Sequence, residues 1–141
     1  REKLVKSVKM VTWNVNGLSN PVKRKKCLNY LKAQKIDIAF HQEVHLIDKE
    51  ADKLKAMWVG QVFNSCFNSQ KRGVAILVHK SMNFILLNQH KDEEGRFICI
   101  KAKINGSRII LCNIYAPNTE DPNFFKMKLI SFWVHWMDKF C

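Results

Sequence analysis

The sequence predicts an α/β fold in a single domain. Apolar runs of strand length recur at residues 73–78, 97–104 and 108–115, and helix-like segments at 21–35, 48–57 and 124–140 are interleaved with strand patterns. A chain of 141 residues suits one domain and is too short for two ordinary ones.

Taken in order, residues 8–15 (VKMVTWNV) read as a first strand, rich in β-branched and aromatic side chains, closed by the turn signal Asn16-Gly17. Asn20 before Pro21 marks a helix start, because the Asn side chain caps orphan amides and Pro is pre-organised at the first helical position. The helix expected over 21–35 places Cys27, Leu28 and Leu31 on one face. Lys23, Arg24, Lys25, Lys26, Lys32 and Lys35 supply the rest, as a solvated face or a phosphate-touching one.

Residues 36–46 (IDIAFHQEVHL) begin with strict alternation, a strand, and run directly into Gln42, Glu43 and His45. A second helix is expected at 48–57, with acids in its first turn where the macrodipole favours them. A short strand follows at 58–63, then a polar loop at 64–72. The run 73–78 (GVAILV) has the continuous apolar character of a strand buried on both faces. Strands are expected at 83–89 and 97–104 around a charged turn at 90–96, and Asn105-Gly106 predicts a hairpin into the strand 108–115. Pro117 ends that strand, and 124–140 is expected to be a helix with an aromatic packing stripe.

Twenty-four Lys and Arg against twelve acids give a net charge of +12, which favours a polyanionic partner, nucleic acid before an anionic membrane. The five cysteines are odd in number and show no CxxC pair, which argues against a disulfide framework or a structural zinc site and for a reducing compartment. No apolar run approaches membrane-spanning length, and the N-terminal stretch lacks the apolar core of a signal peptide, so a secreted or membrane protein is not expected. The chain starts with Arg rather than Met and is expected to be a piece of a longer one.

Three apolar strands end in polar residues: Asn14 and Asn16, Gln42 and Glu43, and Asn113, Tyr115 and Asn118. Polar groups at neighbouring strand ends can converge on one cleft. Glu43 is either a carboxylate satisfied at a strand–loop junction or a metal ligand, since a carboxylate there needs a cation or donors to meet it. One carboxylate, several amides and a phenol suit Mg²⁺ beside a phosphate, because Mg²⁺ takes one or two protein carboxylates and leaves its other positions to water and substrate oxygens. Asn and Tyr can donate to phosphate oxygens as charge builds.

Thr12-Trp13-Asn14-Val15-Asn16-Gly17-Leu18, Phe40-His41-Gln42-Glu43-Val44-His45-Leu46, Arg72-Gly73-Val74-Ala75-Ile76-Leu77 and Asn113-Ile114-Tyr115-Ala116-Pro117-Asn118 occur in this order. Together they resemble the endonuclease/exonuclease/phosphatase superfamily, and within it the apurinic-endonuclease-like domain of long interspersed element (non-LTR) retrotransposons. The resemblance implies a four-layered α/β sandwich of DNase type, present here as its N-terminal half to two-thirds, a single incomplete domain over residues 1–141. It implies Mg²⁺ or Mn²⁺ on Glu43 with Asn14 beside it, and Tyr115 on the scissile phosphate. Gln42, His45, Arg96 and Asn118 would contact or line the substrate site. It further implies DNA as substrate, nicked on one strand to leave a primer for reverse transcription. The parent element's reverse transcriptase and RNA would be partners, the domain itself monomeric, the location nuclear as part of a retroelement protein and otherwise cytoplasmic.

The sequence departs from the family pattern at His41, where an apolar residue is usual, and at Val44, where a hydroxyl residue is usual. His41 is expected to be tolerated at a sheet edge. The family's second half carries a Gly-Asp-Phe-Asn motif and a terminal Asp-His, which activate water and complete the metal site, and neither occurs in these 141 residues. The fragment is therefore expected to be inactive by itself. The alternatives are a non-catalytic basic nucleic-acid-binding remnant and a phosphatase-branch member of the superfamily.

Overall fold

In the computed structural model, residues 7–116 are described, and they form seven strands and two helices. In chain order these are β1 (Met10–Asn14), α1 (Pro21–Ala33), β2 (Ile38–Gln42), α2 (Asp48–Met57), β3 (Gly60–Ser65), β4 (Val74–His79), β5 (Phe84–Lys91), β6 (Phe97–Ile104) and β7 (Ser107–Ile114). The expected helix at 124–140 lies outside the described residues.

Two sheets result. The first has the order β1-β2-β4-β3, with β1 parallel to β2 and the remaining pairs antiparallel. The parallel pair follows from α1, which carries the chain back after β1 as a crossover requires. The second sheet is the antiparallel meander β5-β6-β7, and Asn105-Gly106 makes the β6–β7 hairpin, both residues with positive φ (+51° and +82°). Asn20 caps α1 as the sequence suggests, its Oδ1 accepting from the amides of Val22 and Lys23.

The first sheet is buried on both faces. On one side Ala39, Ala75 and Leu77 pack with Cys27, Leu28 and Leu31 of α1 and Leu54 of α2. On the other, Ile38, Ile76 and Val78 meet Ile98, Ile100 and Leu111 of the second sheet. The described residues thus form a helix layer and two face-to-face sheets, three layers of the expected sandwich. The reading of β4 as a doubly buried strand holds, since Val74 to Val78 are all buried.

Two expectations need correction. His41 does not sit at an edge. It is fully buried on β2, which lies between β1 and β4, and it faces the helices, with Nε2 3.9 Å from Cys27 Sγ and its ring edge-to-face with Trp13. Burial lowers its pKa from 6.5 to about 4, so the imidazole is neutral. Arg24 does not belong to the solvated face of α1. It is buried, and its Nε has no hydrogen-bond partner. The 3.6-residue period turns position 24 inward beside Cys27, Leu28 and Leu31, which a count of basic residues along the helix cannot show.

Candidate active site

The ends of β1, β2 and β7 deliver the polar residues to one place. β1 and β2 run parallel in the register Asn14↔Gln42, so Asn14 finishes level with the residue before Glu43. The chain beyond both strands stays laced together, with Val15 N donating to Gln42 O (3.0 Å) and Gly17 N to Glu43 O (2.7 Å). The loop before β4 joins from the other side, where Val44 N donates to Gly73 O (3.1 Å) and His45 N to Arg72 O (3.0 Å). Glu43, His45, Asn16 and Arg72 all take positive φ, between +46° and +62°. Such backbone conformations cost free energy in non-glycine residues and persist where surrounding contacts over-determine them.

Glu43 is the centre of the arrangement. Asn14 Nδ2 donates to its Oε2 at 2.6 Å and the Tyr115 hydroxyl donates to its Oε1 at 3.3 Å. Asn14 is itself oriented, because its Oδ1 accepts from the amide of Asn16 at 3.1 Å. His45 Nε2 lies 3.6 Å from Glu43 Oε1, buried and without a hydrogen-bond partner. The Tyr115 hydroxyl is pushed above its ordinary pKa by burial and then by the Glu43 carboxylate, opposed by the Arg72 charge, so it keeps its proton at neutral pH and acts as a donor.

The sequence-derived candidates therefore separate into groups. Asn14, Glu43, His45 and Tyr115 come together. Gln42 turns between the sheets, where its Nε2 donates to Asn113 Oδ1 (2.7 Å) and lies 3.0 Å from Thr12 Oγ1. Arg96 joins through its backbone, its carbonyl accepting from Tyr115 N at 2.7 Å, while its side chain reaches toward Glu94 at 3.7 Å. Asn118 lies outside the described residues. Sequence reasoning missed Arg72, whose charge acts on Tyr115; Lys23, expected on a solvated or phosphate-touching helix face, donates from Nζ to Asn16 O at 2.8 Å. The signal for Arg72 was its place directly before Gly73 and a buried strand.

Among the described residues no group of three or more His, Cys, Asp or Glu side chains stands together. The donors thus do not suit a zinc-type cage, which needs three or four protein ligands. They do suit Mg²⁺ or Mn²⁺: one carboxylate, partly exposed, with a buried unpartnered imidazole nitrogen beside it. Burial pushes the thiols of Cys27 and Cys66 up to about 11 and leaves both protonated, so neither is a thiolate ligand.

Gly73 makes the close approach of the β4 and β2 ends possible. At φ +94°, a Cβ on it would stand 2.5 Å from Val44 Cγ2. Gly73→Ala is expected to cost about 3 kcal/mol, combining left-handed backbone strain with overpacking, and a lowered urea midpoint at unchanged m-value measures it.

Residues 11–121 match the Endonuclease/Exonuclease/phosphatase family. The chain belongs to that family. Its curated relatives include a transposon TX1 protein of 149 kDa from Xenopus laevis, 28% identical over 117 residues, which cover 82% of this chain and 9% of that protein. An exodeoxyribonuclease of Bacillus subtilis is 25% identical over 115 residues, covering 79% of this chain and 44% of the relative. The chain thus spans less than half the length of these family members. Among solved structures, D. rerio TDP2 complexed with a single-strand DNA product superposes with TM-score 0.64 at 20% identity, over 94% of this chain and 55% of that one. The endonuclease domain of TRAS1, a telomere-specific non-LTR retrotransposon, gives TM-score 0.62 at 12% identity, over 93% of this chain and 54% of the other. These likenesses show that the chain shares the α/β fold of those structures.

Proposed function

We propose that this chain is the N-terminal part of a retrotransposon-type DNA endonuclease that uses a divalent metal ion to hydrolyse one phosphodiester bond. The observation that supports it best is the Glu43 carboxylate, held at the meeting point of three strand ends by Asn14 and Tyr115, in a family of nucleases and phosphatases. Similarity to a transposon protein and to a retrotransposon endonuclease domain favours the nuclease branch over the phosphatase branch.

In this reading Glu43 holds Mg²⁺ or Mn²⁺, with Asn14 fixing the carboxylate from its Oε2 side. The metal, when bound, supplies positive charge to the phosphate oxygens. Tyr115, kept as a neutral phenol, donates to the same phosphate, and His45 Nε2 offers a further polar contact beside Glu43. Water adds to phosphorus, the bond from phosphorus to the 3′ oxygen breaks, and that oxygen leaves as the 3′-hydroxyl. Arg96, Lys23 and Asn118, the last outside the described residues, would contact the DNA backbone, and Gln42, bonded to Asn113, supports the site from within. In this reading the base that takes the proton from water belongs to the family's Gly-Asp-Phe-Asn and Asp-His motifs, which do not occur in these 141 residues. The 141-residue chain alone binds DNA without cutting it. The reverse transcriptase and RNA of the parent element are its partners, and the nucleus its place of action.

Two measurements test this. A polypeptide extended beyond Cys141 to the length of its relatives should nick supercoiled plasmid in Mg²⁺ and stop when EDTA is added; nicking unaffected by EDTA would exclude the metal. The 141-residue chain should bind duplex DNA with an affinity that drops about 10²-fold between 50 and 200 mM salt, as release of a few counterions requires. Binding insensitive to salt would remove the phosphate-contact role of its +12 charge.

A further inference from the structure

Aliphatic side chains make up most of the contact between the two sheets: Ile38, Ile76 and Val78 on one side, Ile98, Ile100 and Leu111 on the other. Such contacts are strong but non-directional, and by themselves they do not set how far one sheet has slid over the other. Asn113 brings a polar group into this interface, paired there with Gln42. Asn113, on β7 and buried, donates from Nδ2 to two backbone carbonyls of the first sheet, His41 O and Ala75 O, both at 2.8 Å. His41 and Ala75 are direct partners across β2 and β4. The Asn113 Oδ1 accepts from Gln42 Nε2 at 2.7 Å. A carboxamide satisfied this way tolerates little displacement, because an unpaired buried polar group is costly.

Its place relative to the site is specific. Tyr115 follows Asn113 by two residues, and Glu43 follows His41 by two residues. Both steps lead just past the strands, β2 ending at Gln42 and β7 at Ile114. The left-handed φ of Glu43 (+53°) breaks the strand alternation, so that its carboxylate meets Tyr115 although the His41 side chain faces the helices. The Asn113 bond to the His41 backbone carbonyl thus lies two residues before the Tyr115–Glu43 side-chain contact on both segments.

We propose that Asn113, locked by Gln42, is a positioning residue that sets the register of the second sheet on the first and thereby holds Tyr115 over Glu43. The proposal rests on the site reading only for the importance of the Tyr115–Glu43 pair, and its test reads geometry rather than cleavage. Failure of one thus leaves the other standing.

The chain contains two tyrosines, Tyr115 and Tyr30. Tyr30 is exposed on α1 and serves as an internal control. With ¹³C-labelled tyrosine, Glu43→Gln in the otherwise native chain should move the ring signals of Tyr115 and leave those of Tyr30 in place. In the folded double variant Gln42→Leu/Asn113→Leu, which fills the space without polar groups, the Tyr115 response to Glu43→Gln should fall to less than a quarter. Should that variant not fold, Asn113→Thr, which keeps one donor on a strand-forming residue, should reduce the response by about half. A full response in either folded variant would overturn the positioning role, and so would a native chain in which Tyr115 does not respond to Glu43→Gln. A merely stabilising Asn113 would lower the melting temperature and leave the response intact.

Discussion

Glu43→Ala in a polypeptide extended beyond Cys141 is expected to lower plasmid nicking by about 10³-fold, close to 4 kcal/mol of transition-state stabilisation. Loss of the carboxylate removes the only charged group that Asn14 and Tyr115 jointly hold, and with it the proposed metal ligand. The two donors it leaves behind are at the partly exposed mouth of the site and can turn to water, so the fold should survive with a small change in melting temperature. Tyr115→Phe provides the comparison. It deletes one donor and leaves the carboxylate, so its loss should be about 10²-fold. Rates measured side by side on supercoiled plasmid rank the two. Equal rates for Glu43→Ala and the unsubstituted protein would take Glu43 out of the mechanism.

The second large effect concerns stability rather than chemistry. His41 is fully buried, and burial alone lowers its pKa from 6.5 to about 4. Its nearest titratable neighbour is the Cys27 thiol, 3.9 Å from Nε2 and itself protonated, and its Nδ1 has no partner. The direction follows from counting protons. Between about pH 6.5 and 4 the unfolded chain carries a proton on this imidazole and the folded chain does not, so stability falls as pH drops through that window and changes no further below it. The shift corresponds to about 3 kcal/mol. His41→Leu, which puts an apolar side chain in this buried place, should remove that part of the acid sensitivity. Urea midpoints at pH 7 and at pH 4.5 measure it, and matching pH dependences for His41→Leu and the native chain would show that the imidazole is hydrated.

Most of this molecule could be read from its residues because local signals agreed with tertiary needs. The Asn20-Pro21 start, the Asn105-Gly106 hairpin and the continuous apolar run of β4 each correspond to an observed element. The convergence of Asn14, Glu43 and Tyr115 was legible as well, because polar side chains that close a buried strand must find donors, cations or water to meet them.

What stayed hidden depends on which way a side chain turns across the sandwich. His41 looked like a tolerated oddity, because a strand pattern shows alternation but does not say whether the strand lies at an edge. Gln42 looked like a residue of the cleft, yet it donates to Asn113 between the sheets, a contact 71 residues away along the chain. Arg24 was grouped with the solvated lysines of α1 although helical phase buries it. Arg72 stands directly before Gly73 and a buried strand, but its approach to the site comes from the loop before β4 folding against the end of β2, through hydrogen bonds from Val44 and His45.

Site geometry with metal present tests the central claim most directly. Crystals of the extended polypeptide grown with Mn²⁺, measured at a wavelength where manganese scatters anomalously, should show a peak about 2 Å from a Glu43 carboxylate oxygen. A manganese peak elsewhere, with Glu43 bonded only to protein donors at concentrations that support nicking, would contradict the account.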